Sequence, residues 1–269
     1  MELSPERRAE LIALAMSARA HLEMEADLGV AGLALPDRPQ APPVRAPAIA
    51  RAAIAAPVAA PPQPIDTPAS AATAASPDDR RARLQVLAEE AATCKRCVLH
   101  EKRNRIAFSR GTPDAELVFV GEGPGRDEDL QGLPFVGAAG QLLDKMIVAM
   151  GYGRDDVYIC NVVKCRPPEN RTPRPEEALA CSRFLVPQLH AVAPKVIVAL
   201  GRCAAQALGV ADVTGPWRGR WGAFEGIPVL PTYHPAFLLR TPEQKRTVWE
   251  DLQQVMARLG RTPPSRRGA

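Results

Sequence analysis

The chain is poor in aromatic residues, which make up 4 % of its 269 positions, so its core must be packed by aliphatic side chains. Histidine is scarce as well, with four in all, and a histidine held in a loop therefore stands out. No apolar run approaches the roughly 20 residues needed to span a bilayer. The start, Met1-Glu2-Leu3-Ser4-Pro5-Glu6, lacks the basic and apolar regions of a secretory signal. No membrane association and a cytoplasmic location are expected. Stable disulfides are rare there, so six cysteines point to metal binding or to buried thiols. No Gly-Lys-Ser/Thr follows the glycine loop at Gly121, which excludes a P-loop. The lack of an acidic metal cluster near that loop counts against a nucleotide hydrolase.

Charge is uneven along the chain. The first 77 residues hold 6 basic and 8 acidic side chains, and the remainder holds 28 and 22. The positive excess lies in the part that carries the motifs, which fits a polyanionic partner.

Residues 1–35 contain an amphipathic helix over 4–28, capped by Ser4, with Leu11, Leu14, Ala18 and Leu22 at helical spacing. Such a helix is marginal alone and calls for a docking surface, whether its own domain or a weak protein partner. Residues 36–78 read as a disordered linker, since 25 of the 41 positions from 36 to 76 are Ala or Pro. Residues 79–262 read as globular, and 263–269 as a disordered tail.

The globular part alternates strands and helices. Strands are expected at Leu117–Glu122, Val157–Val163, Val196–Leu200 and Ile227–Thr232. Helices are expected at Arg83–Ala91, Gly140–Met150, Pro175–Val192, around Ala204–Leu208, and at Thr241–Leu259. This order predicts a three-layer α/β/α fold with a central, mostly parallel four-stranded sheet. In such folds functional loops lie at the carboxyl ends of strands. Three motifs fall there: Gly121–Gly125, Asn161–Cys165 and Tyr233–Arg240.

Four cysteines are spaced as a tight pair, Cys94 and Cys97, then Cys165 and, after 15 intervening residues, Cys181. A thiolate cage needs four ligands from segments that fold together. The wide second gap leans away from a zinc ribbon, yet spacing alone leaves iron–sulfur, zinc and no metal all open. Cys160 within a strand and Cys203 at a helix start read as buried thiols. In the crevice, Glu122 follows the first strand and Phe135 lies in a loop, where an aromatic can stack on a planar ligand. Asn161 ends the second strand, and its amide offers a donor and an acceptor to a base edge. His234 is held in extended geometry by Pro235. If Tyr233–Arg240 is a loop, Leu238 and Leu239 beside Arg240 have the make-up of an apolar wedge with a phosphate-holding cation, Leu238 being the first candidate; the alternative is a helix start whose leucines pack inside.

Cys-x2-Cys, Gly-Glu-Gly-Pro-Gly-x3-Asp, Pro-Phe-Val-Gly, Asn-Val-Val-Lys-Cys-Arg-Pro-Pro and Thr-Tyr-His-Pro-x3-Leu-Arg occur in that order. From about residue 85 to 258 the chain resembles a family 4 uracil-DNA glycosylase, the iron–sulfur type of bacteria and archaea. The resemblance implies a 4Fe–4S cluster on Cys94, Cys97, Cys165 and Cys181, and a monomer that hydrolyses the base–sugar bond at uracil in DNA. It further implies that Glu122 positions the attacking water and offsets positive charge on the sugar, and that Gly123 lends backbone to the uracil pocket. Phe135 would stack on the flipped base, Asn161 would read its amide edge, and His234 would hydrogen-bond a uracil oxygen. Residues 166–180 hold no histidine, so the cross-linking chemistry of another cluster-bearing relative is not expected. The other reading is a non-enzymatic, metal-stabilised nucleic-acid-binding module in which Glu122 and His234 are structural.

Overall fold

The computed structural model describes residues 76–212 and 215–262, within the second of two compact units, Pro68–Ala269. The expected N-terminal helix, nearly all of the expected linker and the tail after residue 262 lie outside the described residues.

The first described helix, α1 (Pro77–Thr93), starts earlier than its apolar pattern suggests, because Ser76 builds a capping box. Ser76 Oγ accepts from the Asp79 N–H at 3.1 Å, and the Ser76 N–H donates to the Asp79 carboxylate at 3.2 Å. Chain order then runs β1 (Ser109–Gly111), β2 (Leu117–Gly121), α2 (Arg126–Gln131), α3 (Ala138–Ala149), β3 (Tyr158–Asn161) and α4 (Pro175–Val192). It continues β4 (Val196–Leu200), α5 (Arg202–Ala207), β5 (Gly222–Phe224), β6 (Ile227–Thr232), α6 (Pro235–Arg240) and α7 (Lys245–Arg258).

The sheet order is β1-β3-β2-β4-β6-β5. The four central strands are parallel and are the ones the sequence predicts. The sheet has six strands rather than four, because β1 and β5 add antiparallel edges. Each edge strand is only three residues long and carries no buried apolar run, so neither leaves a periodic signal. α2 was not expected as a helix, and at α6 a helix start with inward leucines was the alternative to a loop: both are six residues long, too short to show a hydrophobic period.

Strand β2 shows how both faces are covered. Leu117 and Phe119 pack with Leu143 and Ile147 of α3 and Leu252 and Val255 of α7. Val118 and Val120, pointing the other way, pack with Leu84 of α1 and Phe184 and Leu185 of α4. Every residue of β2, β3 and β4 is buried, as a parallel sheet clothed on both faces requires. From β2 the chain crosses to β3 on one side, and from β4 it crosses to β6 on the other. The crevice between the ends of β2 and β4 is therefore a topological switch point, where open α/β sheets bind ligands.

Candidate active site and cysteine cage

The end of β2 stops at Gly121 for a steric reason. A Cβ there would lie 2.4 Å from Asn161 Oδ1 and 2.5 Å from Phe135 Cζ. The absence of a side chain thus lets the Asn161 amide and the Phe135 ring close over the strand end. The Phe135 and His234 rings follow at a centroid distance of 5.5 Å, tilted by 31°. On the far side Gly201, with φ at 91°, brings the loop after β4 to 3.3 Å from His234 Cβ, measured from the position its own Cβ would occupy. Phe135, Asn161 and His234, assigned from three separate motifs, are thereby brought into one group. Gly121→Ala is expected to lower turnover by at least about tenfold and stability by about 1–3 kcal/mol, the usual cost of overpacking. Urea unfolding and product formation measure both, and full turnover in the variant would show that this packing does not matter to activity.

Phe135 itself is strained. Its φ of 56° is in the left-handed region, which a bulky residue seldom occupies. Glu128 on α2 holds it there: its carboxylate accepts from the N–H groups of Val136 and Gly137, both at 2.9 Å, and of Gly125 at 3.0 Å. One side chain therefore ties the glycine loop to the Phe135 loop. Sequence reasoning missed Glu128, although its position three residues after Gly125, as in a capping box, was available as a signal.

Asn161 is 1 % exposed, and its Oδ1 is buried without a hydrogen-bond partner among the described residues. Two other buried atoms share that state, Gln188 Oε1 and Arg110 Nε. Those side chains are already held by other bonds, from Gln188 to Tyr158 and between Arg110 and Asp144. A buried acceptor left unpaired is costly, and a ligand that donates to it recovers the loss.

His234 is half-buried and caps α6: its Nδ1 accepts from the Ala236 N–H at 3.1 Å. An accepting Nδ1 leaves the neutral ring with its proton on Nε2, a donor free to face a ligand. Burial, helped by the charge of Arg240, lowers the ring to about 4, so it is neutral at pH 7. Glu122 is half-buried beside the glycine loop. Burial raises its carboxyl above the ordinary range, and a hydrogen bond from Thr172 pulls it back in part. Thr172 lies in the segment between Cys165 and Cys181, which the sequence did not connect to Glu122. Cys203 is half-buried rather than enclosed, and its thiol is pushed up to about 12 by burial and by the nearby Glu122. Gly123 packs its Cα against the cysteine segment: a Cβ there would meet Val163 Cγ2 at 2.8 Å.

The wedge expectation needs correction. Leu238 is 1 % exposed and belongs to the core cluster of α3 and α7, because residues 235–240 form a helix whose inner face must be apolar. Its neighbour Leu239 is 46 % exposed and stands beside the exposed Arg240.

Cys94, Cys97, Cys165 and Cys181 line one small cavity, with Lys164 and Phe184 also in its wall. They come from the end of α1, the loop after it, the segment after β3, and α4. Among the described residues no three His, Cys, Asp or Glu side chains are grouped closely enough to hold a single metal ion. The thiols surround a space instead. Burial raises Cys97, Cys165 and Cys181, the last to about 11, so thiolates there need positive charge. Arg103 donates to Cys165 Sγ at 3.1 Å and to the Ala92 carbonyl at 2.7 Å. The segment from Cys165 to Cys181 is pinned by Arg171, which meets both oxygens of the buried Glu177 at 2.8 and 2.6 Å.

A profile of the Uracil DNA glycosylase superfamily matches residues 108–253. The type-4 uracil-DNA glycosylase of Thermotoga maritima is 44 % identical over 183 residues, which is 64 % of this chain and 92 % of that protein. The type-4 uracil-DNA glycosylase of Archaeoglobus fulgidus is 42 % identical over 193 residues, 68 % of this chain and 96 % of that protein. The chain belongs to the type-4 uracil-DNA glycosylases. A type-5 enzyme of Pyrobaculum aerophilum is more distant, at 33 % identity over 168 residues, 55 % of this chain and 72 % of that protein. The superfamily match includes Glu122, Phe135, Asn161 and His234, whereas Cys94 and Cys97 precede it.

Proposed function

We propose that the chain excises uracil from DNA as a repair glycosylase, hydrolysing the N-glycosidic bond and leaving an abasic site. The observation that carries this reading is the unpaired Asn161 amide oxygen, buried against Phe135 at the sheet's switch point. The imide N–H of a flipped uracil would donate to that oxygen while Phe135 packs on the ring. Flipping costs a few kcal/mol, and less at a weak mispair. Cleavage makes an oxocarbenium-like sugar and an anionic uracil. Glu122 stabilises the first and orients the attacking water. The Nε2–H of a neutral His234 stabilises the second by a hydrogen bond that strengthens as charge develops.

Leu239 takes the wedge role in place of Leu238, with Arg240 on a phosphate. Leu239→Ala is expected to slow cleavage of duplex about tenfold and to spare a single strand, where no stack must be opened; equal loss on both would reject it.

The four cysteines fit a 4Fe–4S cluster, since they are the right donors and ring a cavity rather than a point. When bound, the cluster supplies a rigid, redox-capable cross-link between α1, the end of β3 and α4. A cytosolic setting, where thiols stay reduced, suits this ligand set.

The test is to incubate iron-replete protein with a uracil-containing oligonucleotide, add alkali and look for a break at the uracil. A break there and a brown protein with broad visible absorption are expected. An intact strand would reject the activity, and a colourless zinc-loaded preparation from anaerobic cells would reject the cluster.

A further inference from the structure

Resting on the uracil-excising function above, we propose that Lys164 is a positioning residue for uracil recognition, its buried charge balanced by the cysteine cage so that the state of the cage is felt at Asn161. Lys164 is 1 % exposed. Its Nζ donates to the Asn161 carbonyl at 2.7 Å and lies 5.7 Å from the centroid of the Phe108 ring. An ammonium has three protons to place, and among the described residues no carboxylate pairs with this one. A buried cation in that state must be balanced by another negative group.

The cavity shows where that group lies. Lys164 lines the same space as Cys94, Cys97, Cys165 and Cys181. Four thiolates around an iron–sulfur core carry net negative charge. Cage and ammonium therefore stabilise each other. The same ammonium holds the carbonyl of Asn161, the residue whose amide would face the base. The backbone of Lys164 is fixed too, its carbonyl accepting from the Ala107 N–H at 2.9 Å. Asn161 is thus held through Lys164 from the cage side, while its side chain remains unpaired on the crevice side.

Lys164→Gln and Lys164→Met, purified with iron and sulfide quantified, separate this role from a folding role. Both should keep the cluster and bind free uracil at least about tenfold more weakly, the worth of a hydrogen bond from a charged donor. Both should also lower the cluster's reduction potential, because a positive charge beside it is lost. Affinity for an abasic-site duplex should stay within about twofold. Wild-type uracil affinity in the variants, or an unchanged potential, would overturn the proposal. Should Lys164→Met not fold, Lys164→Gln decides; failure of both to fold or to hold iron would also overturn it, by making Lys164 part of the frame. A wild-type protein that neither binds uracil nor cleaves at it would instead reject the function itself.

Discussion

Glu122→Gln is expected to reduce uracil excision by about a thousandfold while leaving binding to uracil-containing DNA within about twofold. The size follows from what the carboxylate does: a positioned base contributes roughly a hundred- to ten-thousandfold, and offsetting charge on the sugar adds to it. The substitution keeps the shape and the contact with Thr172, so lost turnover reports the charge. Single-turnover cleavage with excess enzyme measures it, and turnover within threefold of wild type would reject the role. Its pH dependence gives a second check. Burial raises Glu122 above the ordinary carboxylate range, so its ionised fraction falls earlier than usual on acidification. The acid limb of wild-type cleavage should therefore lie above the ordinary glutamate value. Thr172 favours the charged form, and its removal should move that limb further up.

His234→Leu is expected to slow the chemical step by about a hundred- to a thousandfold, the loss typical of one donor aimed at a developing anion. The structure adds a pH signature. The ring is neutral down to about 4 in the fold, against an ordinary value of 6.5. Above pH 6.5 neither the folded nor the unfolded ring binds a proton, and the contribution to stability is complete. As the pH falls from 6.5 towards 4 the unfolded ring takes up a proton and the folded ring does not, so stability is lost across that window. Urea unfolding of the wild type should weaken more steeply there than that of His234→Leu. Equal slopes would show that the ring is not held neutral. Cleavage by the wild type should show no limb near pH 6.5, since the donating tautomer is already the only one present.

The candidate site residues were legible as a group because they sit in short, rigid motifs at strand ends. Glu122 follows a buried strand and a glycine turn, Asn161 closes an apolar run, and His234 precedes a proline. Each of these is a local constraint, and local constraints are written in neighbouring residues. Glu128 and Thr172 were not legible in their roles, because each acts on a segment distant in sequence. Glu128 reaches Val136 and Gly137, and Thr172 reaches Glu122 across a loop whose path depends on the Arg171–Glu177 pair. Which of the two leucines after Phe237 is exposed was not legible for a similar reason. Leu238 and Leu239 are equivalent as letters, and only the docking of α6 against α3 and α7 decides which one faces solvent.

By itself the sequence determined the four parallel strands, since a buried parallel strand must be a continuous apolar run. It also marked the four cysteines that line one cavity and the residues Phe135, Asn161 and His234 that the fold brings together. Tertiary structure alone decided the two edge strands, which are held by pairing rather than by burial. It alone decided the tautomer of His234, which depends on the Ala236 N–H at the start of α6. It also decided where the buried Lys164 ammonium goes: onto the Asn161 carbonyl, in a residue that lines the cysteine cavity. Contacts of that kind join segments far apart in the chain, and no local pattern of residue types encodes them.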